Sequence, residues 1–414
     1  MSKNEYGKQW NTPVLVLGCD IGALAILRTL GSLGVPVYGV ENNKNNPVLR
    51  SKYLKKYFIK KFDPENPIDY LECLQEVSAQ IGEKAILIPT SDELSVFVSE
   101  YSSRLIENYI FPVNSAELLD QLADKKKMFQ LALDNSIPTP QIICPQNLDD
   151  VNAALSELSF PIMLKGIDGQ RLQAKTGIKM VIVETEDQLI ENYKKLEDFD
   201  QPNLMLQEMI PGDDTEVYIF NGYFNVDSDC LAAFTGHKIR QFPIHIGCAS
   251  LGECRWHDRV AEKTQRLMKS VGYKGILDIG YRLDPRDNKY KVLDINPRVG
   301  QAFRIFVAEN NMDVIRSLYL DLTGQSQPEI KPIEGRRWII EDYDLISTFN
   351  YFSEKSLTLK QWFSSLSGIQ EGAWFCWKDP VPFLLKLALF SKRTSKAIWK
   401  RLYPVQMRLN QTKS

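Results

Sequence analysis

Asp294, Asn296 and Arg298 place a carboxylate, an amide and a guanidinium in one short stretch, Val292-Leu293-Asp294-Ile295-Asn296-Pro297-Arg298, at the end of an apolar run. In an extended strand, residues two apart share a face, so Asp294 and Asn296 point the same way. Hard oxygen donors of this kind suit Mg2+ bound together with phosphates. Arg298 can grip a phosphate or carboxylate in two-pronged fashion. Upstream, Gly275-Ile276-Leu277-Asp278-Ile279-Gly280-Tyr281-Arg282 reads as a second strand, with Asp278 among apolar neighbours. Between the two strands, Asp284-Pro285-Arg286-Asp287-Asn288 supplies turn chemistry. Asp278 and Asp294 are therefore expected on adjacent antiparallel strands. Two carboxylates facing one cavity repel unless a cation lies between them. The plainer alternative, a pair of solvated strand residues, sits poorly with such apolar flanks.

A second set of residues is cationic. Asp124-Lys125-Lys126-Lys127 opens a helix that runs to about Asp134 and is broken by Ile137-Pro138-Thr139-Pro140. A helix start disfavours cations, so three lysines in succession imply either a nearby anion or a solvated basic turn. Lys165 closes the apolar strand Phe160-Pro161-Ile162-Met163-Leu164-Lys165, where it can act on a phosphate as a point charge. Lys238 and Arg240 are two apart in Phe234–Pro243 and are expected on one strand face. Such a pair destabilises a sheet unless an anion sits between, either a phosphoryl group or a substrate carboxylate. Gly247–Glu253 reads as a small-residue loop.

The elements that must position these groups follow an α/β opening. Val14–Leu17, an amphipathic helix through about Leu33, and Val35–Val40 ending at Glu41 form a βαβ unit. Ala85–Pro89 is a further buried strand that ends in Thr90-Ser91-Asp92-Glu93. Polar residues at such strand ends tend to line ligand crevices. Asp20, Thr90 and Asp92 are thus candidates for substrate contact, with helix caps and turn residues as the alternative. A dinucleotide site is disfavoured. In Gly18-Cys19-Asp20-Ile21-Gly22-Ala23 a carboxylate stands where pyrophosphate should approach, although Glu41 lies near the distance of a ribose-binding acid.

The 414 residues suffice for two to four packed units. A net charge of −2 argues against a general nucleic-acid binder. There is no basic-then-apolar leader and no apolar run of about 18 residues. Seven scattered cysteines without Cys-x-x-Cys are expected to be reduced thiols of a cytoplasmic protein. Three histidines make a zinc site improbable. Gln325–Gly335 reads as a linker, followed by a mixed segment. From Lys378 to Ser414 the only acid is Asp379, and Pro382–Leu402 patterns as a basic amphipathic helix. That helix has two possible resting places, an anionic membrane surface or the acidic remainder of the chain. Homodimerisation is left open.

Taken in order, these blocks resemble the ATP-grasp superfamily and, within it, the carboxylate–amine ligase branch. The resemblance covers residues 12 to about 325. It rests on Lys125 before Ile137-Pro138-x-Pro140, the strand closed by Lys165, Leu206-Gln207-Glu208-Met209-Ile210-Pro211-Gly212, and Asp278 with Asp294-x-Asn296-Pro297-Arg298. Ile88–Glu93 and Thr235-Gly236-x-Lys238-x-Arg240-Gln241 point to the branch. The Asp278–Arg298 hairpin and Trp377-x-Asp379-Pro380 are also similar to the mycosporine-glycine synthases, which couple an amino acid to a cyclohexenone.

The resemblance implies a mixed α/β and α+β fold. An N-terminal α/β (pre-ATP-grasp) domain would span 1–120 and a two-lobed ATP-grasp domain 121–325, divided into 121–205 and 206–325. A C-terminal appendage would occupy 326–414. ATP would be held by Lys125, Lys165, the backbone of Glu208, Met209 and Ile210 at the adenine, and Glu216 at the ribose. Mg2+, or Mn2+, would be held by Asp278, Asp294 and Asn296. Arg298, Lys238 and Arg240 would be catalytic. A flexible loop at 166–179 would cover the phosphates. The implied reaction joins a small-molecule carboxylate or enol to an amine, such as an amino acid, with release of ADP and phosphate. Two departures, Asp where many members have Glu and few glycines in the loop, keep a non-catalytic nucleotide-binding scaffold as the alternative.

Overall fold

A computed structural model describes residues 8–402 of the chain, with backbone alone for Gln170 and 393–402. The part of the expected basic tail beyond Leu402 lies outside the described residues. The architecture is three sheets with their helices. In the first sheet, β1 (Val14–Leu17), β2 (Val37–Glu41), β3 (Leu54–Ile59), β4 (Ala85–Pro89) and β5 (Tyr109–Ile110) run parallel in the order β3-β2-β1-β4-β5. β1 reads Val-Leu-Val-Leu and is buried throughout, the unbroken apolar run of a parallel strand covered on both faces. The strand order reverses at β1 and β4. Their carboxyl ends therefore flank the crevice where ligands of such sheets bind, and Gly18–Asp20 and Thr90–Asp92 follow those two ends.

The second sheet holds β6 (Ile142–Ile143), β7 (Ile162–Gly166), β8 (Met180–Val183) and β9 (Leu204–Glu208), antiparallel in the order β6-β9-β7-β8. The third holds β10 (Val217–Phe224), β11 (Cys230–Phe242), β12 (Cys248–Cys254), β13 (Gly275–Asp284), β14 (Lys289–Asn296), β15 (Arg337–Ile339) and β16 (Ile369–Gly372), in the order β14-β13-β10-β11-β12-β15-β16.

Three expectations are corrected here. The stretch expected as a loop at 247–253 is largely strand β12. Its small residues answer to packing, since a β-carbon on Gly252 would lie 2.5 Å from the Ile305 side chain. Segment 326–414 does not stand apart as an appendage. β15 pairs antiparallel with β12, β16 continues the same sheet, and residues 325–335 bond along the body through Glu309 N to Lys331 O and Ile333 N to Val307 O. Asp379 further ties this segment to the first sheet's domain, accepting from Arg28 Nε (3.1 Å), Ser51 Oγ (2.8 Å) and Lys52 N (3.0 Å). Finally, the helix Lys125–Asp134, expected to open the first lobe, packs on the third sheet. Met128, Phe129 and Ala132 share a core with Leu277, Ile279, Tyr281, Val292 and Ile295. Apolar burial, rather than chain order, decides this lobe assignment.

Candidate active site

The β13–β14 hairpin forms as its sequence indicates. Asp278 stands opposite Asn296, and Gly280 opposite Asp294. Asn221 on β10 stands opposite Asp278, so Asn221, Asp278 and Asn296 form one cross-strand row on one side of the sheet. Two glycines make room for the carboxylates. A β-carbon on Gly280 would lie 2.4 Å from Asp294 Oδ1, and one on Gly300 only 1.7 Å from Asp278 Oδ2. Asn296 Nδ2 donates to Asp294 Oδ2 and to the Asp278 carbonyl, both at 3.1 Å, while its Oδ1 accepts from Arg298 Nη2 at 3.1 Å. Burial raises the Asp278 carboxyl to about 7, with Asp294 adding to the shift and Arg298 opposing it. Asp294 suffers the same burial, but Lys238, Lys125, Asn296 and Lys165 together hold it below the ordinary carboxylate range.

A divalent cation fits this arrangement, because its charge would offset the burial of Asp278 and, to a lesser degree, its repulsion by Asp294. Asn296 would have to turn its amide over so that Oδ1 faces Asp294. Among the described residues no three His, Cys, Asp or Glu side chains gather as a metal site. A cation here would thus take two carboxylates and one amide and complete its shell with substrate oxygens, as Mg2+ does with phosphates. Asn221 was not singled out from the sequence. It is fully buried, and its Oδ1 has no protein partner. Only the β10–β13 register reveals it.

Across from the hairpin, Lys165 on β7 is buried with its ammonium 5.1 Å from the centre of the Phe129 ring. Burial and the charge of Lys125 pull it down to about 7, against the attraction of Asp294. Lys125 is placed by the N-cap of its helix, where the Asp124 carboxylate accepts from Lys127 N at 2.9 Å. A phosphate between these lysines fits, because Asp294 offsets only part of what burial and the charge of Lys125 cost the Lys165 ammonium. The sign of the pH dependence follows. An anion needs Lys165 protonated, so nucleotide affinity should weaken as pH rises above about 7, approaching tenfold per pH unit. Binding at about pH 8 should take up close to one proton per site. Calorimetry in buffers of different ionisation enthalpy measures this, and uptake near zero would remove Lys165 from the phosphate site.

Lys238 and Arg240 part company. A register shift in the β11–β12 pairing lies between them, and a bulge breaks the alternation of faces. Lys238 stays with the acids, donating to Gly247 O at 2.8 Å and acting on both Asp278 and Asp294. Arg240 is buried and paired through Nε and Nη2 with both Asp344 oxygens at 2.8 Å, with Ser365 Oγ on Nη1. The expected anion between the two cations is thus corrected: Arg240 already holds a carboxylate of its own chain. Arg240→Ala should cost about 3–5 kcal/mol by stranding Asp344, whereas Arg240→Met with Asp344→Leu should restore most of that stability. Activity in the double variant, measured beside urea unfolding, separates a structural Arg240 from a catalytic one.

The glycine-poor stretch also differs from the expected loop. Gly169–Thr176 is helical, and Arg171 and Lys175 turn to Asp198 at 3.2 and 3.0 Å. Lys179, which is exposed, acts by its charge on Cys248, as do Lys238 and Asp278.

At the hinge, the Glu208 amide donates to Gln141 O at 2.9 Å, so it is not free for a purine edge. The Glu208 carboxylate accepts from Gln141 N (2.8 Å) and pairs with Arg286 (2.7 Å) and Lys291 (3.0 Å), tying β9 to the β13–β14 hairpin. Met209 and Ile210 follow the strand end, and Ile210 is buried. Glu216 ends a short 3-10 turn before β10, with its charge felt by Tyr218 and Tyr290.

The crevice of the first sheet supplies the remaining wall. Arg298 Nε lies 3.0 Å from Asp92 Oδ1, and Asp20, Asp278 and Asp294 also act on Arg298. Asp20 is both cap and wall: Oδ1 accepts from Ala23 N at 2.9 Å and Oδ2 from Gln301 Nε2 at 3.4 Å. Burial raises Glu93, with Asp168 and Asp92 adding to it. Thr90 Oγ1 donates to Leu17 O at 2.9 Å and so serves the turn. Glu41 accepts from Cys19 N, Asn43 N and Asn46 Nδ2, which consumes it within the loop and leaves nothing for a ribose.

No family model matches the chain. It is 22% identical over 315 residues to a D-aspartate ligase of Enterococcus faecium (strain Aus0004), spanning 73% of this chain and 74% of that protein. Among solved structures, N5-carboxyaminoimidazole synthetase from Staphylococcus aureus complexed with ADP is similar at TM-score 0.62 and 15% identity, over 86% of this chain and 89% of that one. An L-amino acid ligase from Bacillus licheniformis is similar at TM-score 0.60 and 14% identity, over 79% of each.

Proposed function

We propose that this chain, which has the ATP-grasp fold, is an ATP- and Mg2+-dependent ligase that phosphorylates a carboxylate and joins it to an amine, releasing ADP and phosphate. One observation carries the reading. The cationic pair Lys125–Lys165 lies near enough to the acidic pair Asp278–Asp294 that each lysine stabilises the charged Asp294. Phosphates fit one side, a metal the other. Mg2+, when bound, would offset charge developing on the phosphates. Asp278, Asp294 and Asn296 would hold it. Lys125 and Lys165 steady the phosphates, Met209 and Ile210 offer backbone to the adenine, and Glu216 accepts from the ribose hydroxyls. Lys238 and Arg298 orient the acceptor oxygen and stabilise charge on the transferred phosphoryl group.

The amine site is the acidic wall of Asp20, Asp92 and Glu93, where carboxylates outnumber the single guanidinium of Arg298. An ammonium group suits that balance, and similarity to a D-aspartate ligase supports an amino acid as the amine. An enol acceptor, as in cyclohexenone coupling, uses the same phosphoryl transfer.

The test is a coupled assay with Mg2+, ATP, and panels of carboxylates, cyclohexenones and amino acids. ADP and phosphate should appear in equal amounts and only with both substrates present. AMP and pyrophosphate would overturn the mechanism. ATP binding without turnover on any pair would leave the scaffold reading instead.

A further inference from the structure

We propose that the helix Val381–Leu402, together with Trp377, docks the protein on an anionic lipid bilayer surface, lying in the interface rather than crossing it. The proposal is independent of the ligase reading. The first turns of the helix are anchored to the body. At its entrance Asp379 is pinned by Arg28 at 3.1 Å. Pro382 faces inward, Phe383 packs on Phe375 with ring centres 5.3 Å apart, and Lys386 reaches Asp342 at 3.0 Å while lying over the Trp374 ring.

The outward side is apolar. Val381, Leu384, Leu385, Leu387 and Leu389 are 46%, 57%, 39%, 51% and 41% exposed, and Trp377 beside the helix is 86% exposed. Eleven of the nineteen exposed large apolar side chains among the described residues lie after residue 340. The rest are scattered, so this concentration is a property of one region and not of the surface at large.

Charge selects the occupant. Residues 381–414 contain eight Lys and Arg and no Asp or Glu. With the whole chain at −2 and this segment at +8, the remainder carries −10. A second copy on the same face would bring two such basic segments together, which like-charge repulsion opposes. The body that the helix packs on lies on its inner side, away from the exposed leucines. An anionic bilayer answers both features, taking the leucines and tryptophan into its boundary and the lysines among its headgroups. No helix among the described residues is long and apolar enough to cross a membrane.

Flotation of the full chain with vesicles tests this. The protein should float with mixed phosphatidylglycerol–phosphatidylcholine vesicles, float weakly with phosphatidylcholine alone, and lose binding as salt rises. Leu384→Asp with Leu387→Asp should reduce binding by about tenfold or more. Both side chains are exposed, so melting temperature should hold. Lys392→Gln, Arg393→Gln and Lys396→Gln should each weaken binding by about fivefold. Three outcomes would overturn the proposal: no flotation with the mixed vesicles, flotation that neither set of variants changes, or a dimer by light scattering that Leu384→Asp dissolves.

Discussion

Asp294→Asn should abolish nucleotide turnover while the chain still folds. The substitution keeps the volume and one oxygen but removes one of the two carboxylate charges available to a metal. The metal that Asp294 would help hold offsets charge developing on the phosphates, and removing one such stabiliser typically costs about 10²–10³ in rate, so weakened metal binding should lower turnover by at least that much. Asparagine should not unfold the site, because it removes the carboxylate that repels Asp278. The pH dependence carries a second signature. Asp278 rises from 3.8 to about 7 in the folded state, so the folded chain binds more protons than the unfolded chain between those values. Its contribution therefore falls as pH rises through about 7. In Asp294→Asn that fall should be shallower, since one cause of the shift is gone. Activity assays and melting curves across this range, with and without Mg2+, read both effects. Turnover within about tenfold of the parent would remove Asp294 from the metal site.

Lys165→Met should produce the opposite pair of changes, a more stable protein that handles ATP poorly. A buried ammonium drawn down to about 7 reports an environment that resists the charge, and methionine fills similar space without it. The nucleotide-free melting temperature should rise by a few degrees, on the order of 1 kcal/mol. kcat/KM for ATP should fall by about 10²-fold or more if Lys165 is one of the cations that hold the phosphates. ATP should then protect the parent against heat and protect Lys165→Met little. A variant that loses stability and keeps ATP protection would make Lys165 a packing residue.

Much of this site was legible because it depends on local patterns. Strand periodicity put Asp294 and Asn296 on one face, and turn residues closed the hairpin that brings Asp278 alongside. The Asp124 cap and the proline break bounded the Lys125 helix. What the pattern misjudged lies where one residue changes the register. Lys238 and Arg240 have strand spacing, but the intervening bulge sends Arg240 to Asp344. The small residues of β12 resembled a loop, although they are small because neighbours approach closely.

The sequence by itself determined the chemical inventory: two aspartates, an amide and an arginine on a hairpin, two lysines to face them, and a basic C-terminal helix. Types and spacing are local, and local rules read them. Only the tertiary structure decided how that inventory is shared out. It joined the C-terminal strands to the third sheet, committed Glu41, Glu208 and Arg240 to internal partners, and set Asn221 beside Asp278. It also turned the leucines of the last helix outward. These outcomes depend on apolar burial and charge pairing between segments far apart in the chain, and no window of sequence contains both partners.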